Sequence, residues 1–210
     1  MDIEYIKDNY KFETLTEKHD LSNFECGSDD LNDFVKNDAL IQQQDKINIT
    51  KLITCDDEII GFVSLLTDTI PLKNIRDENI RLKLKHHYNE NIEKVPKKKP
   101  LPAIKIGRFA IDKKYTNNGL GSHILRNVIN SIKELSENDV GLRFIVVEGY
   151  ASAYNFYAVH NHFSNLKRDD ELIKEKLDRI INKILNKLFI SILISRKVKI
   201  ELFFEIRIFF

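Results

Sequence analysis

A buried strand, a turn with two glycines and a long amphipathic helix follow one another directly in this chain, and this succession restricts its fold more than any other feature. The strand is the apolar run 103–111, the turn spans 115–122, and the helix covers 120–135. Such an apolar run predicts a strand covered on both faces. A second such strand, 144–148, follows the helix, which predicts a right-handed crossover between parallel neighbours. The apolar stripe of the helix consists of Leu120, Ile124, Leu125, Val128, Ile129, Ile132 and Leu135.

The two glycines give the turn the backbone properties of an anion site. Gly119 and Gly121 let the main chain approach a ligand closely, and the helix start supplies unpaired N–H groups and a positive dipole end. Taken alone, two glycines at this spacing also fit an ordinary tight turn. A P-loop is excluded because no Gly-Lys-Ser/Thr follows, and a dinucleotide fingerprint is excluded because Ile124 occupies the third glycine position. A ligand suited to this turn is a pyrophosphate.

Composition narrows the classes of protein that remain. The chain has 210 residues, a size typical of one domain with an appendage, and its 42% of hydrophobic residues suffices for a packed core. Lys and Arg number 33 against 32 Asp and Glu, so a protein that coats nucleic acid or membrane is not expected. Only Cys26 and Cys55 are present, which excludes a disulfide scaffold. Because no signal-peptide core or membrane-length apolar run is found, we expect a cytoplasmic protein.

The first half of the chain predicts strands with one helix between them. Residues 10–15 alternate weakly and predict a strand, and 48–55 with 58–66 predict a hairpin. Ser28 is the expected N-cap of the intervening helix, which has two aspartates in its first turn. Residues 67–102 interrupt the pattern with charge and prolines, and we interpret them as an insertion that lies against the main body.

Together these segments resemble the GNAT N-acetyltransferases. The match rests on the strand 103–111, the two-glycine turn and the helix after it, the strand 144–148, and the sequence Asn155-Phe156-Tyr157. The resemblance covers residues 103–163 well and the first half of the chain more loosely. It implies an α/β fold in which a mixed, mostly antiparallel sheet is splayed around acetyl-CoA and carries helices on both faces.

The same resemblance implies that acetyl-CoA is the co-substrate and that the two-glycine turn holds its pyrophosphate. The family pattern has Arg or Gln where this chain has Thr116, which removes one long side chain but leaves the backbone cradle. The strand before the turn would offer backbone groups to the pantetheine arm. The cofactor-binding residues implied are Phe109, Ala110, Ile111, Thr116, Asn117, Asn118, Gly119, Leu120, Gly121, Ser122 and Asn155.

The resemblance also implies a general acid. The family carries a Phe/Leu-Tyr pair after the fifth strand, so Tyr157 would protonate the departing thiolate, a contribution of about 10²–10⁴-fold. The alternative is a tyrosine ring that packs in the core with its hydroxyl towards solvent or a backbone group. The family's following Gly-Phe is replaced by a run one residue longer, in which Asn161 is the expected left-handed residue that ends the helix.

No convincing general base and no metal site are predicted. Glu148 is a candidate base, although a surface or salt-bridged carboxylate explains it better. An α-amino group needs no dedicated base, because its pKa near 7.7–8.0 leaves a sizeable fraction neutral at pH 7. The histidines form no metal or triad constellation, and a serine hydrolase has no GxSxG support. An α-amine is therefore weakly favoured over a lysine side chain as the acceptor.

Residues 24–34 point to one branch of the family. Their sequence, FECGSDDLNDF, resembles the branch signature F-x-C-G-x-x-x-L-N/D-x-F, and the branch includes toxins of bacterial toxin–antitoxin modules that acetylate aminoacyl-tRNA, as well as relatives that are not toxins. Cys26 and Gly27 are expected mainly to shape the turn into the helix. A basic window would suit tRNA or the 3′-phosphate of CoA, but it also fits a solvated loop. It comprises Lys94, Lys97, Lys98, Lys99, Lys105, Arg108, Lys113 and Lys114 against Asp112 alone.

The end of the chain departs from the family pattern. We expect one acetyltransferase domain over 1–165, with 166–210 as an appendage of the same domain. A charged helix is predicted at about 171–188, followed by strands six and seven. Residues 200–210 are unusually apolar and the tail lacks Gly and Pro, so a dimer strand, an aggregation-prone edge and a truncated or shifted reading of the gene also stay open.

One principal hypothesis and two alternatives follow. The principal hypothesis is an N-acetyltransferase that transfers acetyl from acetyl-CoA to a primary amine, on a small molecule or a larger amine-bearing substrate, without a metal. The first alternative is a toxin-type enzyme that acts on the amino group of aminoacyl-tRNA. The second is a catalytically blunted acyl-CoA-binding module, weakened by Thr116 and the altered helix end. No membrane partner is expected, and a homodimer stays open.

Overall fold

The computed structural model describes residues 1–70, 100–165 and 199–205. Within this part the chain forms one seven-stranded sheet. Its strands are β1 (Lys11–Thr14), β2 (Ile49–Cys55), β3 (Glu58–Ile70), β4 (Leu101–Ile111), β5 (Phe144–Tyr150), β6 (Ser164–Asn165) and β7 (Lys199–Glu205). The order across the sheet is β1-β2-β3-β4-β5-β7-β6, and every neighbouring pair is antiparallel except β4 and β5. The predicted mixed, mostly antiparallel sheet is confirmed.

Four α-helices and several short helical turns complete the described fold. The α-helices are α1 (Ile3–Asn9), α2 (Asp29–Asp33), α3 (Ala39–Gln44) and α4 (Leu120–Asn138). A π-helical turn, Phe34–Asp38, joins α2 to α3, and a second one covers Asn155–His160. Ser28 is the N-cap of α2 as predicted, although its side chain makes no capping hydrogen bond. Helix α1 was not predicted. Its N-cap is Asp2, whose side chain accepts hydrogen bonds from the N–H groups of Glu4 and Tyr5.

The helices cover both faces of the sheet, because alternate residues of the central strands point to opposite sides. On one face, Ile53 and Val63 join a core with α1 and the buried stripe of α4. On the other, Leu52 and Phe62 join a core with Phe34 and the α2–α3 segment. Most of the predicted stripe of α4 is buried, except that Ile129 is half-buried and Leu135, at the C-terminal end, is 37% exposed.

The sheet opens between β4 and β5, which is the feature that positions the site. The two strands pair only from Ala103 with Phe144 to Ile106 with Val147. Beyond that point β4 stays paired with β3, while β5 stays paired with β7. The separation begins at a β-bulge, since Gly107 has no partner between the paired residues Ile106 and Arg108. Bulges bend a strand and increase its twist, so β4 turns away from β5 at this residue.

Gly107 leaves room for a neighbouring side chain at the bulge. A Cβ built on it would lie 2.7 Å from Cδ2 of Leu66, so the leucine side chain would have to move to accept a larger residue. Residue 107 lies inside the predicted apolar strand, but the bulge was not predicted.

The segment after β5 differs from its prediction. Residues 151–160 were expected to form one helix, but they form a 3₁₀ turn, Ala151–Ala153, followed by the π-helical turn Asn155–His160. A π-turn holds one more residue than an α-turn, which accommodates the extra residue noted in this run. Asn161 ends this turn as its C-cap, as expected, but it is not left-handed: its φ is −118°, and the left-handed residue is His162 with a φ of 59°.

The tail strand β7 lies inside the sheet, between β5 and β6. Its pairing with β5 spans the whole of that strand, from Phe144 with Glu205 to Tyr150 with Lys199. Strand β7 is one of the two strands predicted after the charged helix; β6, at Ser164–Asn165, precedes that segment and was not predicted. The predicted helix at about 171–188 and most of the predicted insertion at 67–102 lie outside the described residues. Among the helices that the structure does describe, none has the length and apolarity needed to cross a bilayer.

Candidate active site

A cleft of about 820 Å³ opens where β4 and β5 part. Its floor is the free side of β4, one wall is the start of α4, and the other is the π-helical turn that carries Tyr157. Clefts of this size hold ligands as large as nucleotide cofactors. No Asp or Glu lines it among the described residues.

The turn before α4 presents free backbone N–H groups to this cleft. Gly119 has a φ of 82° and Asn117 a φ of 64°, so two left-handed residues curl the chain around the helix start. The N–H of Leu120 donates to Oδ1 of Asn118 at 3.1 Å, and that of His123 donates to the carbonyl of Gly119 at 3.1 Å. The N–H groups of Gly119, Gly121 and Ser122 have no acceptor within the described ranges. Together with the positive end of the α4 dipole, they form a concave anion site.

The two glycines of this turn have different structural roles. A Cβ on Gly119 would meet nothing within 4 Å, so the absence of a side chain leaves the cradle open to a ligand. A Cβ on Gly121 would lie 3.3 Å from the ring of Phe156, so this glycine lets α4 pack closely against the π-helical turn. Both properties suit the pyrophosphate of acetyl-CoA. Neither depends on the Arg or Gln side chain of the family pattern, whose position Thr116 occupies here.

The end of β4 offers backbone groups along the cleft floor. Phe109, Ala110 and Ile111 pair with β3 on one side, and no strand of the described ranges lies beside them on the β5 side. Their free N–H and C=O groups suit a ligand with amide bonds, such as the pantetheine arm, because that ligand can complete the ladder. The ring of Phe109 stacks on Phe156 at 5.9 Å, which closes one end of the floor.

Tyr157 is buried between aromatic rings at the inner end of the cleft. Its side chain is only 6% exposed, and its ring contacts Phe156 and Phe163 edge-on, at 4.9 and 5.6 Å between ring centroids. The hydroxyl makes no hydrogen bond to any residue that the structure describes. Burial raises the pKa of the Tyr157 phenol well above its ordinary value, so the group keeps its proton at neutral pH.

A second, smaller cavity of about 70 Å³ is lined mainly by β4 and β5 and shares Leu31, Phe109, Ala153 and Tyr157 with the cleft. Its remaining polar lining consists of Asp30, Arg108, Glu148 and Tyr150. The Tyr150 hydroxyl donates to Asp30 and so ties α2 to β5 across the cavity. Glu148 forms an ion pair with Lys105 at 2.8 Å, so the salt-bridged interpretation of this carboxylate is confirmed.

The structure brings nearly all of the sequence-predicted residues to one cleft. The predicted residues that line it are Phe109, Ala110, Ile111, Thr116, Asn117, Gly119, Gly121, Ser122, Asn155 and Tyr157. Leu120 and Asn118 do not line the cleft. Leu120 is fully buried in the core, and its N–H donates to Oδ1 of Asn118. These two residues support the cradle without lining it.

The segment that leads into α2 also lines the cleft, which was not predicted from the sequence. Cys26 and Leu31 reach the cleft because Asp112, 2% exposed at the end of β4, accepts a hydrogen bond from the N–H of Glu25 at 3.1 Å. Gly27 has a φ of 79° and Cys26 donates its N–H to Asn32, so the expected role of this pair in shaping the turn is confirmed. Contacts between residues 87 positions apart leave no local pattern in the sequence.

Comparison with known proteins agrees with this geometry. No protein-family model matches the chain. A tRNA-acetylating toxin of Mycobacterium tuberculosis is 25% identical over 150 residues, which cover 71% of this chain and 81% of the relative. The structure of AtaT complexed with acetyl-methionyl-tRNAfMet superposes with a TM-score of 0.65 at 20% identity and covers 94% of this chain and 95% of that one. AtaTR bound with acetyl-CoA gives a TM-score of 0.63 at 20% identity, with 95% of each chain covered.

The chain is an N-acetyltransferase with the GNAT fold. The resemblance to the acetyltransferase toxins predicted from sequence is confirmed, and so is the prediction that acetyl-CoA is the acyl donor. In this acetyltransferase the described residues contain no group of three or more His, Cys, Asp and Glu side chains placed to hold a metal ion.

The basic window of the acetyltransferase is less cationic than its sequence suggests. Lys105 is paired with Glu148, and Lys114 is paired with Glu58 at 3.0 Å. Half of the window, Lys94 and Lys97–Lys99, lies outside the described residues. Of the cations that the structure does describe there, Arg108 and Lys113 form no ion pair with a described carboxylate.

Asn161 joins the two walls of the acetyltransferase cleft. Its Nδ2 donates to the carbonyl of Phe156 at 2.7 Å and to Oγ of Ser122 at 3.1 Å. One amide therefore links the π-helical turn that carries Tyr157 to the first turn of α4.

We expect Asn161→Ala to lower the free energy of unfolding by about 1–2 kcal/mol, because two partly buried hydrogen bonds are lost. Urea unfolding measures the change. Asn138→Ala is the matched control: its Nδ2 donates to the carbonyl of Glu134 at 3.0 Å on the exposed face of α4, and we expect a loss below about 0.5 kcal/mol. Equal losses in the two variants would contradict the role of Asn161 as a link between the walls.

Proposed function

We propose that this acetyltransferase works in the cytoplasm and acetylates the α-amino group of an aminoacyl-tRNA. The observation that carries the proposal is the junction of two cavities at one buried tyrosine. The larger cavity ends in a backbone anion cradle, and the smaller one, lined mainly by β4 and β5, adjoins it at Leu31, Phe109, Ala153 and Tyr157. Donor and acceptor can therefore reach Tyr157 from two adjoining cavities. A relative that is a tRNA-acetylating toxin, and AtaT in complex with acetyl-methionyl-tRNAfMet, support the choice of acceptor.

We assign the donor end to the residues of the α4 turn and of β4. The free N–H groups of Gly119, Gly121 and Ser122 would hold the pyrophosphate, and the open side of Phe109–Ile111 would hold the pantetheine arm. Asn155 lies on the wall between them. Acetyl-CoA, when bound, supplies an acetyl group as a thioester.

Tyr157 is proposed as the general acid. A bond forms between the amine nitrogen and the carbonyl carbon, and the carbon–sulfur bond breaks. The Tyr157 hydroxyl gives its proton to the departing sulfur, and the nitrogen loses one proton to water, from which the phenolate recovers its own. A phenol with a raised pKa gives up its proton only to a strong base, and a thiolate released in a dry site is one.

The electrostatics of the site favour an α-amine as acceptor. No described carboxylate lines the cleft, and the two that line the smaller cavity, Glu148 and Asp30, bond to Lys105 and Tyr150. The proposal is therefore that the amine arrives uncharged. At pH 7.5 roughly a third of α-amino groups are neutral but only about one lysine side chain in 10³, given pKa values near 7.8 and 10.4.

The proposal is tested by incubating the protein with acetyl-CoA and a purified pool of aminoacyl-tRNA. We expect N-acetylated amino acids to be released when the ester is hydrolysed. Peptides whose only amine is a lysine side chain should be acetylated at least about 10²-fold more slowly at pH 7.5. The rate with aminoacyl-tRNA should rise with pH and level off once the acceptor amine is neutral. Mass spectrometry of the hydrolysed amino acids measures the product.

The Tyr157→Phe variant serves as the matched control, because it keeps the fold and lacks the proposed acid.

Expression of the wild-type chain should slow growth of the host, since an acetylated α-amine cannot form a peptide bond. Untouched aminoacyl-tRNA together with turnover on a small amine would replace the tRNA acceptor by that amine. Tight acetyl-CoA binding without turnover on any amine would favour the alternative of a protein that binds acyl-CoA but has lost catalytic activity.

A further inference from the structure

Arg108 is the cation in the lining of the smaller cavity, through which the acceptor is proposed to enter, and no described carboxylate forms an ion pair with it. We infer that Arg108 is a specificity-determining residue, whose guanidinium binds a phosphodiester of the acceptor nucleic acid next to the aminoacyl ester. The inference rests on the proposed function, because it concerns the acceptor that enters through this cavity.

The hydrogen bonds of Arg108 leave most of its donors unused. Nη1 donates to the carbonyl of the neighbouring Gly107 at 2.9 Å. Nε is buried and has no hydrogen-bond partner, and the guanidinium forms no ion pair with any carboxylate of the described chain. A half-buried cation without a counterion is costly, since desolvation is not repaid by a partner. The cost points to an anion that arrives with the substrate.

The protein holds the guanidinium in one place. Arg108 directly follows the unpaired Gly107 of the β4 bulge, and its guanidinium carbon lies 5.1 Å above the ring of Phe34. Stacking on an aromatic face fixes the plane of the group and leaves its edge available. A fixed planar fork loses little entropy when it binds two oxygens of one anion.

No described carboxylate forms an ion pair with Arg108. Of the two carboxylates that line the same cavity, Glu148 pairs with Lys105, and Asp30 accepts the Tyr150 hydroxyl and lies outside ion-pair distance of Arg108. The arrangement contrasts with Lys114, which forms an ion pair with Glu58. Among the described residues, Arg108 is thus a cation without an ion pair in the cavity that Tyr157 also lines.

A phosphodiester satisfies these observations better than other groups of an aminoacyl-tRNA end. The ester carbonyl is neutral and does not balance a half-buried charge. A side-chain carboxylate is present only when the amino acid is acidic, whereas a phosphodiester precedes the terminal nucleoside of every acceptor. Its two free oxygens match the spacing of the guanidinium fork.

The test compares two synthetic acceptors that carry the same neutral amino acid. One is the amino acid on adenosine, without a phosphate; the other carries it on the dinucleotide cytidylyl-adenosine, with one phosphodiester. For the wild type we expect kcat/KM to be about 10- to 100-fold higher with the dinucleotide, which is typical of a hydrogen bond between charged groups. Arg108→Met should abolish this preference and leave kcat/KM on the adenosine acceptor unchanged within about threefold.

Two further variants keep the test sharp. Lys11→Met removes a cation from β1, three strands away from β4 in the sheet, and should retain the full preference. Arg108→Lys keeps the charge without the fork and should retain part of the preference. Titration with acetyl-CoA and thermal unfolding check that each variant is folded. If Arg108→Met does not fold, the dinucleotide preference of Arg108→Lys, measured on the same two acceptors, decides the test.

Several outcomes would overturn the inference. One is a dinucleotide preference that survives in Arg108→Met. Another is an equal loss on both acceptors, which would assign Arg108 to the shape of the active site. A third is a preference for glutamyl over glutaminyl acceptors that only Arg108 supports, which would assign the anion to the amino acid. If the wild type acetylates neither acceptor nor aminoacyl-tRNA, the proposed function itself fails, and this result is distinct from the other three.

Discussion

Tyr157→Phe should lower kcat by about 10²-fold or more, at the low end of what a general acid contributes, and leave the affinity for acetyl-CoA unchanged. The substitution removes only a hydroxyl that has no hydrogen-bond partner in the described structure. The ring contacts with Phe156 and Phe163 stay in place, so the fold and the donor cleft should be intact. Steady-state kinetics with saturating acetyl-CoA measure kcat, and calorimetric titration measures the affinity.

The pH profile provides a second readout for the same group. Because burial raises the pKa of Tyr157, its acid form persists where a surface tyrosine begins to ionise, near pH 10. The wild-type rate should therefore show no alkaline decline up to that pH. Tyr5→Phe is the control, since the Tyr5 hydroxyl is exposed on α1 and donates only to Asp56. An unchanged kcat in Tyr157→Phe would remove this residue from the acid role.

Gly119→Glu should weaken acetyl-CoA binding by about 10²–10³-fold. The new side chain projects into open space, since a Cβ on Gly119 meets nothing within 4 Å. Its carboxylate would bind the free N–H groups at the start of α4 and repel the pyrophosphate, with an interaction of about 4 kcal/mol at 4 Å near a protein surface. Titration with acetyl-CoA measures the loss.

Two control variants separate charge from backbone strain. Gly119 has a φ of 82°, where any other L-residue costs about 1–2 kcal/mol of stability, and asparagine tolerates this region best. Gly119→Asn should therefore lose some stability and keep most of its affinity. Gly141→Glu introduces the same charge at a glycine that also has open space around it, away from the cleft, and should bind acetyl-CoA normally. Normal binding by Gly119→Glu would contradict the assignment of the cradle.

The fold and the donor side of the site were readable from sequence because their signals are local. The strand, the two-glycine turn and α4 are contiguous, so periodicity and the position of two small residues were enough to predict them. The parallel pairing of β4 with β5 followed from the crossover rule. The hairpin β2–β3 and the N-cap of α2 were also visible in single stretches of chain.

The errors in the sequence prediction have a common physical cause. Residues 151–160 were assigned one helix because propensity does not distinguish an α-turn from a π-turn. The wider turn is selected by packing, with Phe156 against Gly121 and Asn161 bonded to Ser122. The left-handed residue moved from Asn161 to His162 for the same reason: the π-turn shifts the register by one residue.

The sequence alone predicted the strand, the two-glycine turn and α4 from neighbouring residues with strong conformational preferences, and its resemblance to the GNAT acetyltransferases implied the fold class and the candidate Tyr157. Only the tertiary structure decided how the site is assembled. The bulge at Gly107 opens the sheet, and Asp112 draws the α2 segment onto the cleft. Among the described residues, Arg108 forms no ion pair, while the neighbouring Glu148 pairs with Lys105. These features depend on contacts between residues far apart in the chain, which no local pattern records.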